Sequence, residues 1–163
     1  VLRAIIEVQI TKERVRREKE KAATVGVIQG SITGSTAHVV GAIGEVIVQD
    51  YIGGIEASTK DYDLIKGDYR IDVKTKRCNT VPEDEYECSV ASHGTKQKCD
   101  KYIFVRLMND YKTAWILGEV TKEDYFKMAT RHKRGEVDPS NGFIFKADCY
   151  NLEIGKLHDV QKC

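Results

Sequence analysis

The sequence predicts an α/β sandwich built on a mixed sheet, and three observations carry that reading. A strand-type run near the start is followed by two helical stretches, the second apolar on most sides. A charged hairpin then spans residues 61–76, DYDLIKGDYRIDVKTK. Two further β-prone runs and a last helical stretch complete the order. At 163 residues the chain is expected to form one domain over residues 1–163, long enough to bury a real core.

Taken in order, residues 4–10 (AIIEVQI) set Ile6, Val8 and Ile10 between polar neighbours, the alternation of a short edge strand. Thr11 is an N-cap for a helix over residues 12–23, and Glu13 in its first turn suits the helix dipole. That helix is mostly charged, with six Lys or Arg against three Glu. It reads either as a solvated helix laced with internal ion pairs or as an arm that contacts phosphate. Residues 26–36 are rich in Gly, Ser and Thr and read as a loop. Ser35 or Thr36 caps the next helix, which runs to about Tyr51. Val39, Val40, Ile43, Val46 and Ile47 form its core stripe, and Gly41, Ala42 and Gly44 let another backbone come close. Glu45 points opposite the stripe. A carboxylate on so buried a helix needs a partner. His38 reads as a structural, hydrogen-bonded histidine.

Gly67-Asp68 is a two-residue hairpin turn. In that register Lys66 faces Tyr69, Leu64 faces Ile71, Tyr62 faces Val73 and Asp63 faces Asp72. One face then carries Tyr62, Leu64, Tyr69, Ile71 and Val73, and burial of this apolar set fixes the register. The other face carries Asp61, Asp63, Ile65, Arg70, Asp72 and Lys74. Like charges directly opposite destabilise a sheet, so the Asp63–Asp72 pair calls for compensation. Solvent with Lys74 and Arg70 as counter-ions is one answer. A divalent cation is the other, since Mg²⁺ is held by one or two carboxylates and keeps waters for phosphate.

Asp63 followed by Asp72-Val73-Lys74 resembles the signature of the PD-(D/E)xK nucleases, an acid on one strand and acid-x-Lys on the next. Glu45, in GAIGEVIVQDYIGG, matches the glutamate that a preceding helix contributes to that pattern. Tyr62 stands where the family name has proline. The remainder of the chain is similar to small phage-type endonucleases. The resemblance implies a restriction-endonuclease-like core and a metal-dependent endodeoxyribonuclease. It implies that Asp63, Asp72 and the Val73 carbonyl ligate Mg²⁺ or Mn²⁺, and that Glu45 holds a water or a second ion. Lys74 then orients the nucleophile and stabilises charge on the phosphate.

After the hairpin, residues 75–77 continue the strand with positive charge, and residues 79–94 are polar with a short strand at 87–91. Residues 95–101 read as a short helix. YIFVRL (102–107) and TAWILG (113–118) are strands around a turn at 109–112, with Trp115 in the core. Thr121 and Asp124 are placed as a capping pair for a helix through Thr130. A basic run follows, then a turn at 138–142 and a short strand at 143–146. The tail from Asn151 carries no clear signal.

The formal net charge is +1, so a DNA partner has to be met by local patches rather than a global basic field. The candidates are Lys76, Arg77, Lys96, Lys98, Arg131, Lys133 and Arg134. No apolar run reaches the ~18 residues of a membrane span, and no signal-peptide pattern is present, so the expected compartment is the cytoplasm. The five cysteines are widely spaced, as in a free-thiol protein. A zinc site from Cys78, Cys88, His93 and Cys99 lacks a C-x-x-C pair to support it. A non-catalytic nucleic-acid-binding module on the same fold is the rival reading, and retention of all four signature residues argues against it. An enzyme acting on a small phosphorylated substrate is a weaker rival, because GSITGS is a poor match to a P-loop. Oligomeric state is open, a homodimer included.

Overall fold

In the computed structural model, which describes residues 4–29, 35–57 and 59–162, the alternating start is β1 (Ile6–Gln9). It is followed by α1 (Lys12–Gln29), α2 (Ser35–Ile52), β2 (Ile55–Glu56), β3 (Leu64–Lys66), β4 (Tyr69–Cys78) and β5 (Glu87–Ala91). The chain continues through β6 (Lys101–Met108), β7 (Thr113–Thr121), α3 (Lys122–Met128), β8 (Thr130–His132) and β9 (Cys149–Glu153). The larger sheet has the order β1-β7-β6-β4-β3-β2, and the smaller β5-β9-β8. Among the described residues, only the β4–β6 pair is parallel. The protein is thus mixed α/β, as the element order predicts.

Helix α1 runs past the expected stop at Ala23. The Thr24 hydroxyl donates to Glu20 O at 3.1 Å, which satisfies it inside the helix instead of breaking the helix. At the other end Thr11 Oγ1 accepts from Arg14 N–H at 3.1 Å, the expected cap. Ion pairs Arg16–Glu13 and Arg16–Glu20 lace the exposed face, and Arg14 reaches Asp50 on α2. Of the expected loop, Gly26 to Gln29 are helical, and residues 30–34 lie outside the described set.

Helix α2 packs between α1 and the sheet, over β4 and β6. Ile43, Leu64, Ile71 and Ile103 are almost completely buried in this first core. Each stabilises the fold by about 1.5–3 kcal/mol relative to exposure. Val46 is only half-buried, and Val48 and Ile52 complete the stripe instead. The close approach foreseen for the small residues occurs at Gly44 and not at Gly41. A Cβ on Gly44 would lie 1.8 Å from Thr75 Oγ1 and 2.9 Å from Thr75 Cβ. Thr75 is short and rooted in β4, so it has no room to give. Gly44→Ala is therefore expected to lower stability by about 1–3 kcal/mol, seen as a lower urea midpoint at unchanged slope. Thr75→Ala in the same chain should recover much of the loss, whereas additive effects would mean that this contact is not the cause.

The second core lies on the other face of the sheet, where Tyr102, Phe104, Trp115 and Leu117 meet β5, β9 and Tyr125 of α3. Trp115 is a core residue, as expected. Cys78, Cys88 and Cys99 are buried in this cluster, and Cys149 is half-buried. Helix α3 is shorter than predicted. It starts as foreseen, with Thr121 Oγ1 accepting from Asp124 N–H at 3.2 Å. It ends at Met128 because Tyr125, fully buried, anchors it, and Thr130 to His132 then pair with β9. The expected strand at 143–146 reduces to a single bridge between Val137 and Ile144. The expected helix at 95–101 is instead a 3₁₀ turn at Ser92–Lys96. The tail supplies β9, the centre of the smaller sheet.

No helix among the described residues is long and apolar enough to cross a membrane.

Candidate functional site

The hairpin turns at Gly67, whose φ of 58° is open to glycine at no cost. From there the ladder runs as expected: Lys66 to Tyr69, Ile65 to Arg70, Leu64 to Ile71. It then departs from the expected register. Asp63 N–H donates to Ile71 O at 2.9 Å, one residue short of Asp72, and β3 ends. Beyond that end the Val73 N–H of β4 meets no strand. It donates to the Asp63 carboxylate, at 2.8 Å from Oδ2. Asp63 is thereby turned over the edge of β4 instead of standing squarely across from Asp72. Tyr62, assigned by simple alternation to the face of Leu64, packs against the second core. Tyr69 is half-exposed and takes the Lys101 ammonium over its ring at 4.3 Å.

The notch left by β3 gathers the acids. Asp72 is 6 % exposed, on the face of Tyr102 and the second core. Glu45 reaches the same place from α2 and is close enough to Asp63 for a side-chain hydrogen bond. It therefore sits at the flank of the apolar stripe, not opposite to it. The packing of Gly44 on Thr75 fixes this approach. Lys74 Nζ lies 2.9 Å from Asp72 Oδ2 and 5.8 Å from the centre of the Tyr102 ring. The ammonium lies off the line of a hydrogen bond, and Asp72 Oδ2 is left buried without a hydrogen-bond partner.

Electrostatics follow from this crowding. Burial, then the charges of Asp72 and Glu45, push the Asp63 carboxyl up to about 8, against the opposing hydrogen bond from Val73. Burial is also the largest cause raising Glu45, with Asp72, Glu56 and Glu18 adding repulsion and Asp63 offsetting part of it. At neutral pH Asp63 holds a proton between its neighbours. Among the described residues no three His, Cys, Asp or Glu side chains are drawn together as a preformed metal site. A proton and the Lys74 ammonium do the work of keeping the acids together.

The structure thus brings Glu45, Asp63, Asp72, Val73 and Lys74 to one place. Lys76 follows on the same face of β4. Arg77 is on the other face and is tied down, Nε donating to Asn109 Oδ1 at 3.0 Å with the guanidinium 5.8 Å from the Tyr111 ring centre. Lys96 and Lys98 are exposed beside the 3₁₀ turn. Arg131, Lys133 and Arg134 are exposed on and after β8, in the smaller sheet and apart from the acids. His38 is exposed on α2, not buried.

Buried charges escape the sequence reading, Glu119 with Lys101 at 3.0 Å among them. Glu18, on the helix read as solvated, is 2 % exposed; its Oε1 has no hydrogen bond, only Lys21 at 3.5 Å. Arg106 is 9 % exposed in the middle of β6. A charged residue inside YIFVRL was the available signal. No known family matches the chain, and no curated protein matches it significantly.

Proposed function

We propose that the protein is a metal-dependent nuclease of the PD-(D/E)xK kind, hydrolysing phosphodiester bonds in DNA on a restriction-endonuclease-like core. The observation that carries this reading is the meeting of Glu45, Asp63 and Asp72 beside Lys74. They come from a helix, the end of one strand and the middle of the next. A purely structural site has little reason to bring three acids into a half-buried notch.

The notch fits a hard divalent cation. Asp72 Oδ2 is a buried acceptor without a hydrogen bond, and Asp63 is kept neutral by the very charges that a cation would offset. A donor set made only of oxygens suits Mg²⁺ or Mn²⁺. Asp63, Asp72 and the Val73 carbonyl would hold the ion, with Glu45 supporting a water or a second ion. When bound, such an ion polarises the scissile phosphate and lowers the pKa of the water that attacks it in line. Val73 N–H fixes the direction of the Asp63 carboxylate before substrate arrives. Glu45 accepts a proton or a hydrogen bond at the rim. Lys74, released from its charge pair with Asp72, presents its ammonium to the phosphate oxygens, where preorganised charge is a leading catalytic effect.

Asp72→Asn is the test. The fold should persist, and Mn²⁺ affinity by calorimetric titration should fall by at least about tenfold, since weaker supporting contacts already cost about 10–100-fold. Cleavage of linear, nicked, branched and single-stranded DNA in Mg²⁺ or Mn²⁺ should be lost. Equal Mn²⁺ affinity in variant and parent would sink the metal reading. A parent that binds DNA but cleaves none with either ion would favour a non-catalytic nucleic-acid-binding module.

A further inference from the structure

Four residues along β4 from Asp72, Lys76 stands beside Arg106 in the parallel register of β4 and β6. Two cations on neighbouring strands repel, and one of them is nine-tenths buried. Arg106 Nη2 donates to Glu87 O at 2.8 Å, which uses one of the five guanidinium N–H groups. None of the ion pairs among the described residues reaches Arg106. Burial, and then the charge of Arg106, lower the Lys76 ammonium.

Both cations face a cavity of about 650 Å³ between the two sheets. Asn151 lines it too, and its Oδ1 is buried without a hydrogen-bond partner. Four acids line the wall, Glu85, Glu87, Asp138 and Asp148, and the last two are engaged elsewhere. Asp138 Oδ1 accepts from Ser140 N–H and Oγ–H, and Asp148 Oδ1 accepts from Arg134 N–H. A smaller cavity of about 120 Å³ is lined by Lys74, Lys76, Glu87 and Arg106.

We infer that Lys76 and Arg106 form a second phosphate subsite, which holds a phosphate of the substrate strand away from the one under attack. A buried guanidinium with free N–H groups and a neighbouring ammonium suit a phosphate dianion or diester. Along an extended strand the separation from Asp72 is about 13 Å, too far for the same phosphate to touch both places. The subsite fixes the register of the strand, and that role rests on the nuclease reading; the phosphate chemistry does not.

Inorganic phosphate and a short single-stranded DNA, each titrated without divalent metal, separate these claims. Lys76→Gln and Arg106→Gln should each lower affinity for both ligands by about tenfold, the effect of losing one charged hydrogen bond. The salt slope for DNA should shrink by about 0.7 for each variant. Lys76 is exposed, so Lys76→Gln folds even where Arg106→Gln does not, and it decides the matter. Phosphate binding by Lys76→Gln equal to the parent's would overturn the subsite, as would no phosphate binding by the parent. Phosphate bound but DNA affinity unchanged in Lys76→Gln would overturn the assignment to the substrate strand. Failure of the nuclease reading appears separately, in Mn²⁺ affinity and cleavage.

Discussion

Lys74→Ala is expected to cut the rate of DNA cleavage by at least ~10² while DNA binding stays within a few-fold of the parent's. That is the loss seen when one preorganised donor to a transition-state charge is deleted. The geometry supplies a competing account that has to be separated. Lys74 Nζ is 2.9 Å from Asp72 Oδ2, with side-chain exposures of 32 % and 8 %. Removing the cation leaves a buried carboxylate less well compensated, which costs more than breaking a surface pair worth about 0–1 kcal/mol. Stability alone therefore does not distinguish a counter-ion from a catalytic group. Turnover at a temperature where both proteins are fully folded does. A counter-ion to Asp72 is also redundant once a cation fills the notch, so its deletion would leave turnover in saturating Mn²⁺ near the parent's. A folded Lys74→Ala protein that cleaves as fast as the parent would rule out the proposed role.

The register of the hairpin was legible because it depends on local chemistry. Gly67 accepts the positive φ, and Leu64 and Ile71 have to be buried together. Its far end was not legible. Alternation extends a strand as far as the pattern lasts, but β3 stops after three residues and the chain slips by one at Asp63. The slip is what turns a simple cross-strand pair of acids into a notch with Val73 N–H at its base. The direction of Glu45 was not legible either. A helical wheel places it relative to the apolar stripe, whereas the contact of Gly44 with Thr75 decides which flank meets the hairpin.

Burial of single charges in otherwise ordinary elements was the least readable property. Glu18 sits among charges that are solvated, and Arg106 in a strand that is apolar around it. Each is buried by an element distant in sequence, α2 in one case and β5 in the other. Strand β9 failed for a related reason. CYNLE carries no alternation strong enough to stand alone, and becomes a strand by pairing with β5 and β8 on its two edges.

The metal-free protein should become less stable as pH rises from about 5 to about 8.5, and Asp63 should be the main cause. Its carboxyl is pushed from an ordinary 3.8 up to about 8, first by burial and then by Asp72 and Glu45. Between those values the folded chain binds a proton that the unfolded chain has lost. Folding is then favoured by acid: the contribution is fully present below about pH 4 and is lost as pH rises through about 8. One such group changes stability by at most about 1.4 kcal/mol for each pH unit in that window. Glu45, raised in the same direction, adds to the trend. Asp100 opposes it, because its hydrogen bonds from Arg70 hold its carboxyl below the ordinary range, but that influence ends at lower pH. Urea unfolding with a chelator present should therefore show a midpoint that falls across the window. Asp63→Asn keeps an acceptor for Val73 N–H and carries no charge, so its profile should be much shallower, with Glu45 left to contribute. Mn²⁺ added at about pH 8 should restore the parent and leave Asp63→Asn much less changed, because the cation replaces the proton that Asp63 has given up. Equal pH slopes for the two proteins would show that the acids are not crowded against one another, and the notch would lose its claim to a cation.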